Sequence, residues 1–507
     1  DSVKLFGEHK KRRPSNVIIN LKTINKGWSS MNIISQFNQF LEKNFNFYLK
    51  NYFNDFNYYN KSSSFSNYFN FINDLDSFSD SFIKNIIKGY FEYIDNSFFS
   101  SSYRKNYCTS NGFYERKNYV TLFGEITFKR RYYYDKKTNE RFFFTDLFLG
   151  LPKRKHFDPF VCADIVENST NYSYSKTGKL VAEKIGKRTS NTINISRATA
   201  RNIVLAFNPI IDEQQEERRI EKLFVMLDEK FVGSQFNDSK DHMIKASVIF
   251  ENTKLEYKNK KKENSMDRYR LVNSHVCASI DDNLLIDTVN YIYNTYDTDY
   301  LKEIIFMGDC ATWIKNFPKS FWFKFTPETK VQFAMDGFHF SQALKQLTTN
   351  KHDDIYNALT EIVIKNDKEN FKILCNQFKD LHPERNETIE NKTNYILNNW
   401  NERQLYQNSL YMKCSMESHI SHIFADLFTS RPKAYSQKGL RRLLKLRVLK
   451  VNGINIKDLY LQQLINPPII KEKENIIKIP KCKINEINKY DIEHKLMLHK
   501  QRILFLN

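Results

Sequence analysis

Hydrophobic positions change their spacing several times along the chain, and each change predicts a different kind of element. From residue 31 to 103, Phe and Tyr alternate with Asn and Ser. Phe37, Phe40, Leu41 and Phe45 keep a helical interval, and Ser62-Ser63-Ser64 breaks this helical region in two. Tyr119 to Phe128 is rich in β-formers and reads as a strand that Arg130 to Tyr134 extends. Asp135 to Asn139 then turns, and Arg141 to Thr145 returns as a second strand, giving a basic, aromatic hairpin. Ser175 to Ile185 reads as a helix with Leu180, Val181 and Ile185 apolar and Gly186 at its end. Ser196 stands at an N-cap position before a second helix, Arg197 to Phe207, with Ala200, Ile203 and Val204 on one face.

From residue 221 the pattern becomes α/β, and the first segment reads as a buried strand. Lys222 to Val232, His242 to Phe250 and Leu271 to Ile280 read as three strands, with a charged loop from Lys254 to Arg270 between the last two. Asn283 to Tyr296 is a helix, Glu303 to Gly308 a fourth strand ending at Asp309, and Val331 to Met335 a fifth ending at Asp336. The order β-β-β-α-β-α-β, with a final helix to come, is that of the ribonuclease H-like α/β fold. Residues 340–411 carry helical signals only, with Trp400 and Tyr406 as anchors. Met416 to Phe428 reads as one helix, and the tail after 465 is basic and loose.

Composition narrows the picture. A hydrophobic share of 41% over 507 residues suits several globular domains. The formal net charge is +20, from 78 Lys and Arg against 58 Asp and Glu. That surplus suits a polyanion such as nucleic acid; abundant Asn, Lys, Ile, Phe and Tyr with scarce Gly and Pro, as AT-rich coding would give, is the alternative source of it. Seven scattered cysteines without a CxxC pair argue against a disulfide framework or zinc finger and fit a reducing cytoplasm. No apolar run approaches the roughly 18 residues of a membrane span. Residues 1–30 read as an extension upstream of a more natural start at Met31.

Two acids stand out because of where the pattern puts them. Asp228 closes the apolar run Phe224-Val225-Met226-Leu227, and Asp309 closes Ile304-Ile305-Phe306-Met307-Gly308. A carboxylate at an apolar strand is costly unless it binds a metal or a partner. Two such acids on one sheet suggest a divalent-metal site; strand-end acids that cap loops or pair with Arg are the alternative. Glu417 in Cys414-Ser415-Met416-Glu417-Ser418-His419-Ile420-Ser421-His422 is an acid in a first helical turn, which the helix dipole alone favours. His419 and His422 lack the cysteines that would accompany them at zinc. In Asp336-Gly337-Phe338-His339 the histidine could orient a strand or touch a flipped nucleotide, or form a structural hydrogen bond. Arg130 and Arg131 on the hairpin could hold DNA backbone, with an ordinary solvated hairpin face as the alternative; a helix-turn-helix would place Arg197, Thr199 and Arg201 near DNA, with an ordinary helical hairpin as the alternative. Arg431 to Lys450 holds eight Lys or Arg and no acid: Arg431, Lys433, Lys438, Arg441, Arg442, Lys445, Arg447 and Lys450. Interleaved leucines would form a core face and the cations a phosphate-gripping one, with a merely solvated face as alternative.

Taken together, these residues resemble bacterial insertion-sequence transposases of the ISLre type, within the Mutator-like DDE group, many of which were long catalogued only as an uncharacterised protein family. The resemblance spans about residues 35–460 and rests on several motifs. They are Thr121-x-Phe123-Gly124-Glu125-Ile126-x-Phe128-x-Arg130-Arg131-Tyr132, Leu149-Gly150-Leu151-Pro152, the Asp228 strand and Gly308-Asp309-x-x-x-Trp313-Ile314, followed by Asp336-x-x-His339 and Ser415-x-Glu417-x-His419-x-Ser421-His422 leading to Ser430-Arg431-Pro432. Tyr435 stands where the family pattern suggests Trp. The resemblance implies a ribonuclease H-like catalytic core interrupted by a helical insertion before the last acid. It implies that Asp228, Asp309 and Glu417 form the DDE triad, holding two Mg²⁺ or Mn²⁺ ions, with Asp336 and His339 auxiliary. The chain then divides into an extension (1–30), an N-terminal helical and β-hairpin region (31–165) and a helix-turn-helix-like segment (166–212). After these come the first part of the core (220–339), a helical insertion (340–411), the final core helix with its basic segment (412–460) and a basic tail (461–507).

The expected activity is metal-dependent cutting of transposon ends and their joining to target DNA. The expected partners are double-stranded DNA, as terminal inverted repeats and target, and a second copy of the chain or more, in a bacterial cytoplasm at the nucleoid and away from membranes. A ribonuclease H-like nuclease or resolvase that cuts without joining, and a non-catalytic DNA-binding regulator derived from a transposase, are the rival expectations.

Overall fold

The computed structural model describes residues 64–467, apart from 152–154, 187–192, 212–216, 236–240, 258–267, 282, 321–328, 350–352, 408–415 and 430–432, with a few positions between 38 and 45. The readings of residues 1–37 and of the tail beyond 467 lie outside the described residues. The chain separates into two compact units. One holds the residues up to Ile165 with Tyr174–Ala200; the other holds Val166–Ser173 and everything from Arg201 onward.

In the first unit a long helix, Ser64–Ser100, lies against a three-stranded antiparallel sheet of β1 (Cys108–Thr121), β2 (Gly124–Asp135) and β3 (Arg141–Phe143). The single strand expected over Tyr119–Tyr134 is in fact folded back on itself. Thr121 pairs with Gly124, the chain turns at Leu122 and Phe123, and Gly124 sits at φ +116° where a side chain would be strained. The Thr121 hydroxyl accepts the Phe123 N–H at 3.1 Å and donates to the Gly124 carbonyl at 2.9 Å, closing the turn locally. Thr145, expected at the end of a strand, belongs to the short helix Phe144–Phe148. Phe98 of the long helix stacks on Phe144 at 3.8 Å and meets Tyr133 edge-on, so helix and sheet share one aromatic core. The helix Tyr174–Gly186 follows the sequence reading closely, and Ser196 caps the next helix, Arg197–Ala206, by accepting the Thr199 N–H at 3.1 Å. Gly178 lets the first of these helices approach the chain just before the second: a Cβ there would lie 2.3 Å from the Ile195 carbonyl oxygen.

The second unit is built on a sheet of β4 (Lys222–Ser234), β5 (His242–Phe250), β8 (His275–Ser279), β9 (Glu303–Gly308) and β10 (Lys330–Met335), ordered β10-β9-β4-β5-β8. Strands β4, β5 and β8 pair antiparallel, whereas β9 and β10 run parallel to β4. A short β11 (Ala434–Tyr435) pairs with the far end of β4. Alternate residues of β4 face opposite ways. Leu223, Val225 and Leu227 pack with Ile304 and Phe306 of β9 and with Val289, Ile292, Ile314 and Phe317 from the helices Leu284–Thr295 and Thr312–Ser320. Phe224, Met226 and Asp228 belong to the opposite set, and Phe224 stacks on Phe250.

Two local readings need correction. The charged loop expected from Lys254 to Arg270 is in part a two-stranded ribbon, β6 (Asn252–Tyr257) with β7 (Arg268–Val272). The single strand expected over Leu271–Ile280 breaks at Asn273, whose φ of +50° separates β7 from β8. Beyond β10, helices Gly337–Thr348, Asp353–Ile364, Lys368–Leu381, Asn386–Asn398 and Trp400–Gln407 share a core of Leu344, Leu347, Leu359, Phe371, Ile396 and Trp400. Trp400 is anchored as expected, its Nε1 donating to Asn366 Oδ1 at 2.8 Å; the Tyr406 side chain lies outside the described residues.

His275 stacks on Tyr291 with ring centres 3.6 Å apart, and burial pushes its imidazole pKa down to about 4. The unfolded chain, at 6.5, takes up that proton more readily. The contribution of His275 to stability is therefore fully present above pH 6.5 and is lost progressively as pH falls towards 4. Urea titrations at pH 7 and pH 4.5 should show a smaller acid-induced loss in His275→Phe than in the wild type.

Candidate active site

The site grows from one row of paired residues. Leu227 of β4 pairs with Gly308 of β9, and Gly308 pairs with Met335 of β10. Asp228, Asp309 and Asp336 each follow that row by one residue, so three acids leave neighbouring parallel strands at the same level. The Asp336 N–H donates to the Gly308 carbonyl at 3.0 Å, continuing the row. Gly308 makes the close strand approach possible, since a Cβ there would lie 2.6 Å from the Leu227 carbonyl oxygen and 2.9 Å from Ile314 Cγ2. The first of these is backbone and cannot swing away. Gly308→Ala should therefore cost about 1–3 kcal/mol of stability, the range for overpacking, read by urea titration, and should shift Asp309 as β9 moves.

The three acids are held differently. Asp228 is buried, and its Oδ1 accepts the Glu229 N–H at 2.7 Å. Asp309 is half-buried and turns the chain into the next helix, its Oδ1 accepting the Ala311 N–H at 3.0 Å; among the described residues no Lys or Arg is ion-paired with it. Asp336 is spent on structure. It caps the helix Gly337–Thr348 by accepting the Phe338 and His339 N–H groups, and its second oxygen bonds His339 Nδ1. The structural hydrogen bond expected as one possibility for His339 is present. Burial disfavours the imidazolium, but the bond to Asp336 and the charges of Asp336, Asp309 and Asp228 outweigh it and raise the pKa. Next to Asp309, burial pushes the Cys310 thiol up to about 12.

Glu417 is the second residue of the helix Met416–Ile420, and its side chain lies outside the described residues. Its helix packs against β4, the strand of Asp228. The single helix expected over Met416–Phe428 is interrupted by a π-helical turn at Ser421–Ala425. Asp228 and Asp309 offer hard carboxylate oxygens from adjacent strands, donors suited to Mg²⁺ or Mn²⁺. Among the described residues no cluster of three or more His, Cys, Asp or Glu forms a complete metal cage.

Several expected DNA contacts have other partners. Arg130 is buried and pairs with Asp146 at 3.1 Å; Arg131 pairs with the buried Asp95 at 2.6 Å and lies over Phe99 and Phe113. Neither guanidinium has the exposure that holding a DNA backbone would need, because helix carboxylates reach the sheet first. Arg197 and Arg201 are exposed on one side of their helix. In the basic helix Gln437–Val451, Lys438 is exposed, Arg441 grips Asp281 through two hydrogen bonds of 3.0 and 2.8 Å, and Arg442 donates to Asn208 at 2.6 Å. Asp281 and Glu167, from other segments, thus pair with two cations of a stretch that has no acid of its own. Arg431 lies outside the described residues. Tyr435 donates its hydroxyl to the Leu427 carbonyl at 3.2 Å.

Two neighbours of the site carry little sequence signal. Glu229, beside Asp228, accepts the Trp313 indole N–H and pairs across the sheet with Lys245, whose ammonium lies 5.5 Å over the Trp313 ring. The spacing of Trp313 after Asp309 was visible; its partner was not.

Residues 70–463 match the profile of a family described as an uncharacterised protein family, UPF0236. Curated relatives from Caldanaerobacter subterraneus subsp. tengcongensis, named only as UPF0236 proteins, are 27% identical over 354 residues and 26% identical over 355 residues. Each alignment covers 68% of this chain and 69% of the relative. No helix among the described residues is long and apolar enough to cross a membrane.

Proposed function

This chain belongs to the uncharacterised protein family UPF0236, and from the row of carboxylates we propose that it is a DDE-type DNA transposase of the ISLre kind. The observation that carries the reading is the placement of Asp228 and Asp309 one residue beyond the Leu227–Gly308 pair of two parallel strands, with the helix of Glu417 against β4. The order β10-β9-β4-β5-β8, with one antiparallel and one parallel half, supports a ribonuclease H-like core.

Asp228, Asp309 and Glu417 would hold two Mg²⁺ or Mn²⁺ ions, which when bound activate an attacking oxygen and stabilise a departing one. Asp336 and His339 hold the start of the following helix beside these acids. Arg197, Arg201 and Lys438 supply exposed cations for the phosphates of double-stranded DNA, the first two from the helix-turn-helix. Chemically, water attacks the phosphodiester at a transposon end and releases a 3′-hydroxyl, which then attacks a target phosphodiester in line and expels a new 3′-hydroxyl. Work on two ends calls for a dimer or larger assembly on DNA, and the substrate places the protein at the bacterial nucleoid.

The test uses the full chain, DNA ends from the flanks of its own gene and a target plasmid. Joining of a pre-cut end to the plasmid with Mg²⁺ supports the reading. Cutting without joining would leave a nuclease, and binding without either would leave a DNA-binding regulator.

A further inference from the structure

The turn that follows Glu417 is irregular, and one side chain holds it. A π-helical turn bonds i to i+5, which widens the helix and withdraws carbonyls from the ordinary ladder. Arg447, on the basic helix Gln437–Val451, fills that turn. Its Nε donates to the Ile423 carbonyl at 2.8 Å and its Nη2 to the His422 carbonyl at 2.8 Å. Its Nη1 donates to Asn171 Oδ1 at 2.6 Å and to the Thr170 carbonyl at 3.3 Å. One guanidinium therefore ties together the basic helix, the Val166–Ser173 segment and the turn beyond Glu417.

The chemistry of these partners is informative. Arg441 and Lys450 of the same helix meet the carboxylates of Asp281 and Glu167. Arg447 meets neutral oxygens, most of them main-chain, and burial lowers its pKa while Asp426 opposes that at longer range. A half-buried cation placed on neutral carbonyls gains less Coulomb energy than one on a carboxylate. What it does supply is geometry, since the rigid five-donor fork of Arg can span four acceptors at once and the ammonium of Lys cannot. On the other side, Met416 and Ile420 are buried where the Glu417 helix meets β4.

We propose that Arg447 is a positioning residue, fixing the backbone that carries Glu417 against β4 so that the third metal ligand is ordered before the ions arrive. This rests on the transposase reading above. Without Arg447 the ordering of the turn would be charged against metal binding, so the metal requirement should change more than the rate at saturation.

Two readouts on the full chain test it: Mg²⁺ titration of supercoiled-plasmid nicking, and amide hydrogen exchange across Ser418–Phe428. Arg447→Met should raise the half-maximal Mg²⁺ concentration about tenfold, the low end for loss of a residue that orients a metal ligand, and should speed exchange in that stretch. Arg447→Lys, which keeps the charge and the fold more safely, should fall between. A role in stability alone would lower the melting temperature and leave the Mg²⁺ midpoint unmoved in both variants, and that result overturns the proposal. A wild type that nicks with neither Mg²⁺ nor Mn²⁺ sinks the transposase reading instead. In that case unchanged exchange in the variants would still overturn the positioning contact itself.

Discussion

Asp228→Asn should abolish Mg²⁺-dependent DNA nicking while leaving the protein folded. Asn keeps the shape of the carboxylate and can still accept the Glu229 N–H that Asp228 Oδ1 accepts at 2.7 Å. It removes the negative charge that a divalent ion requires. Losing one ligand of a catalytic metal site forfeits several kcal/mol of transition-state stabilisation, or at least about 10³-fold in rate. Stability should change little, because Asn fits the same buried space and keeps the hydrogen bond to the Glu229 N–H. The measurements are the nicking rate of supercoiled plasmid and the melting temperature of the same preparation. Full activity in the Asn variant would remove Asp228 from the mechanism. Lost activity with a collapsed melting temperature would make its role structural.

Asp146→Ala carries the largest expected loss of stability. Asp146 stands between two guanidiniums, 3.2 Å from Arg116 Nη1 and 3.1 Å from Arg130 Nε, with side-chain exposures of 12%, 9% and 10% respectively. Arg116 lies over Tyr119 at 4.5 Å and Arg130 over Phe143 at 4.0 Å, so the cluster is walled by rings. Removing the acid leaves two buried cations facing each other. Breaking a buried ion pair from one side costs about 3–5 kcal/mol. The loss should appear as faster amide exchange in β1 and β2, with an opening free energy lower by about that amount. Replacing all three together, as Asp146→Leu, Arg116→Met and Arg130→Met, should recover much of it, because buried charge clusters tolerate apolar replacement. Wild-type protection in Asp146→Ala would mean that water reaches the two guanidiniums.

These two positions illustrate how unevenly the sequence reveals the structure. Asp228 was legible because the run from Phe224 to Leu227 has no polar break, and an acid at the end of such a run must be explained. The run from Ile304 to Met307 in β9 is unbroken in the same way. Asp146 was not legible, since nothing local links it to Arg116 or Arg130. The same holds for Arg441 with Asp281 and for Lys450 with Glu167, pairs that only the fold brings together.

Local errors have local causes. The turn at Leu122 and Phe123 is made of β-formers and depends on the positive φ of Gly124, so the pattern around it reads as continuous strand. Most of β1 is exposed, and its Asn, Ser, Gly and Glu carry no alternating signal. Strands β6 and β7 form a polar ribbon off the main sheet, where charge hides the β pattern. The π turn after Glu417 leaves no trace in hydrophobic spacing, because Met416, Ile420, Ile423, Phe424, Leu427 and Phe428 keep an ordinary helical interval and are all buried.

The central claim is that carboxylates from β4, from the end of β9 and from the helix of Glu417 share a pair of divalent ions. A crystal structure of the full chain soaked in Mn²⁺, with anomalous scattering used to place the metal, addresses it directly. The account predicts two Mn²⁺ ions about 4 Å apart, ligated by Asp228, Asp309 and Glu417. Ordered Mn²⁺ at other sites only, with the Glu417 carboxylate directed away from both aspartates, would contradict it.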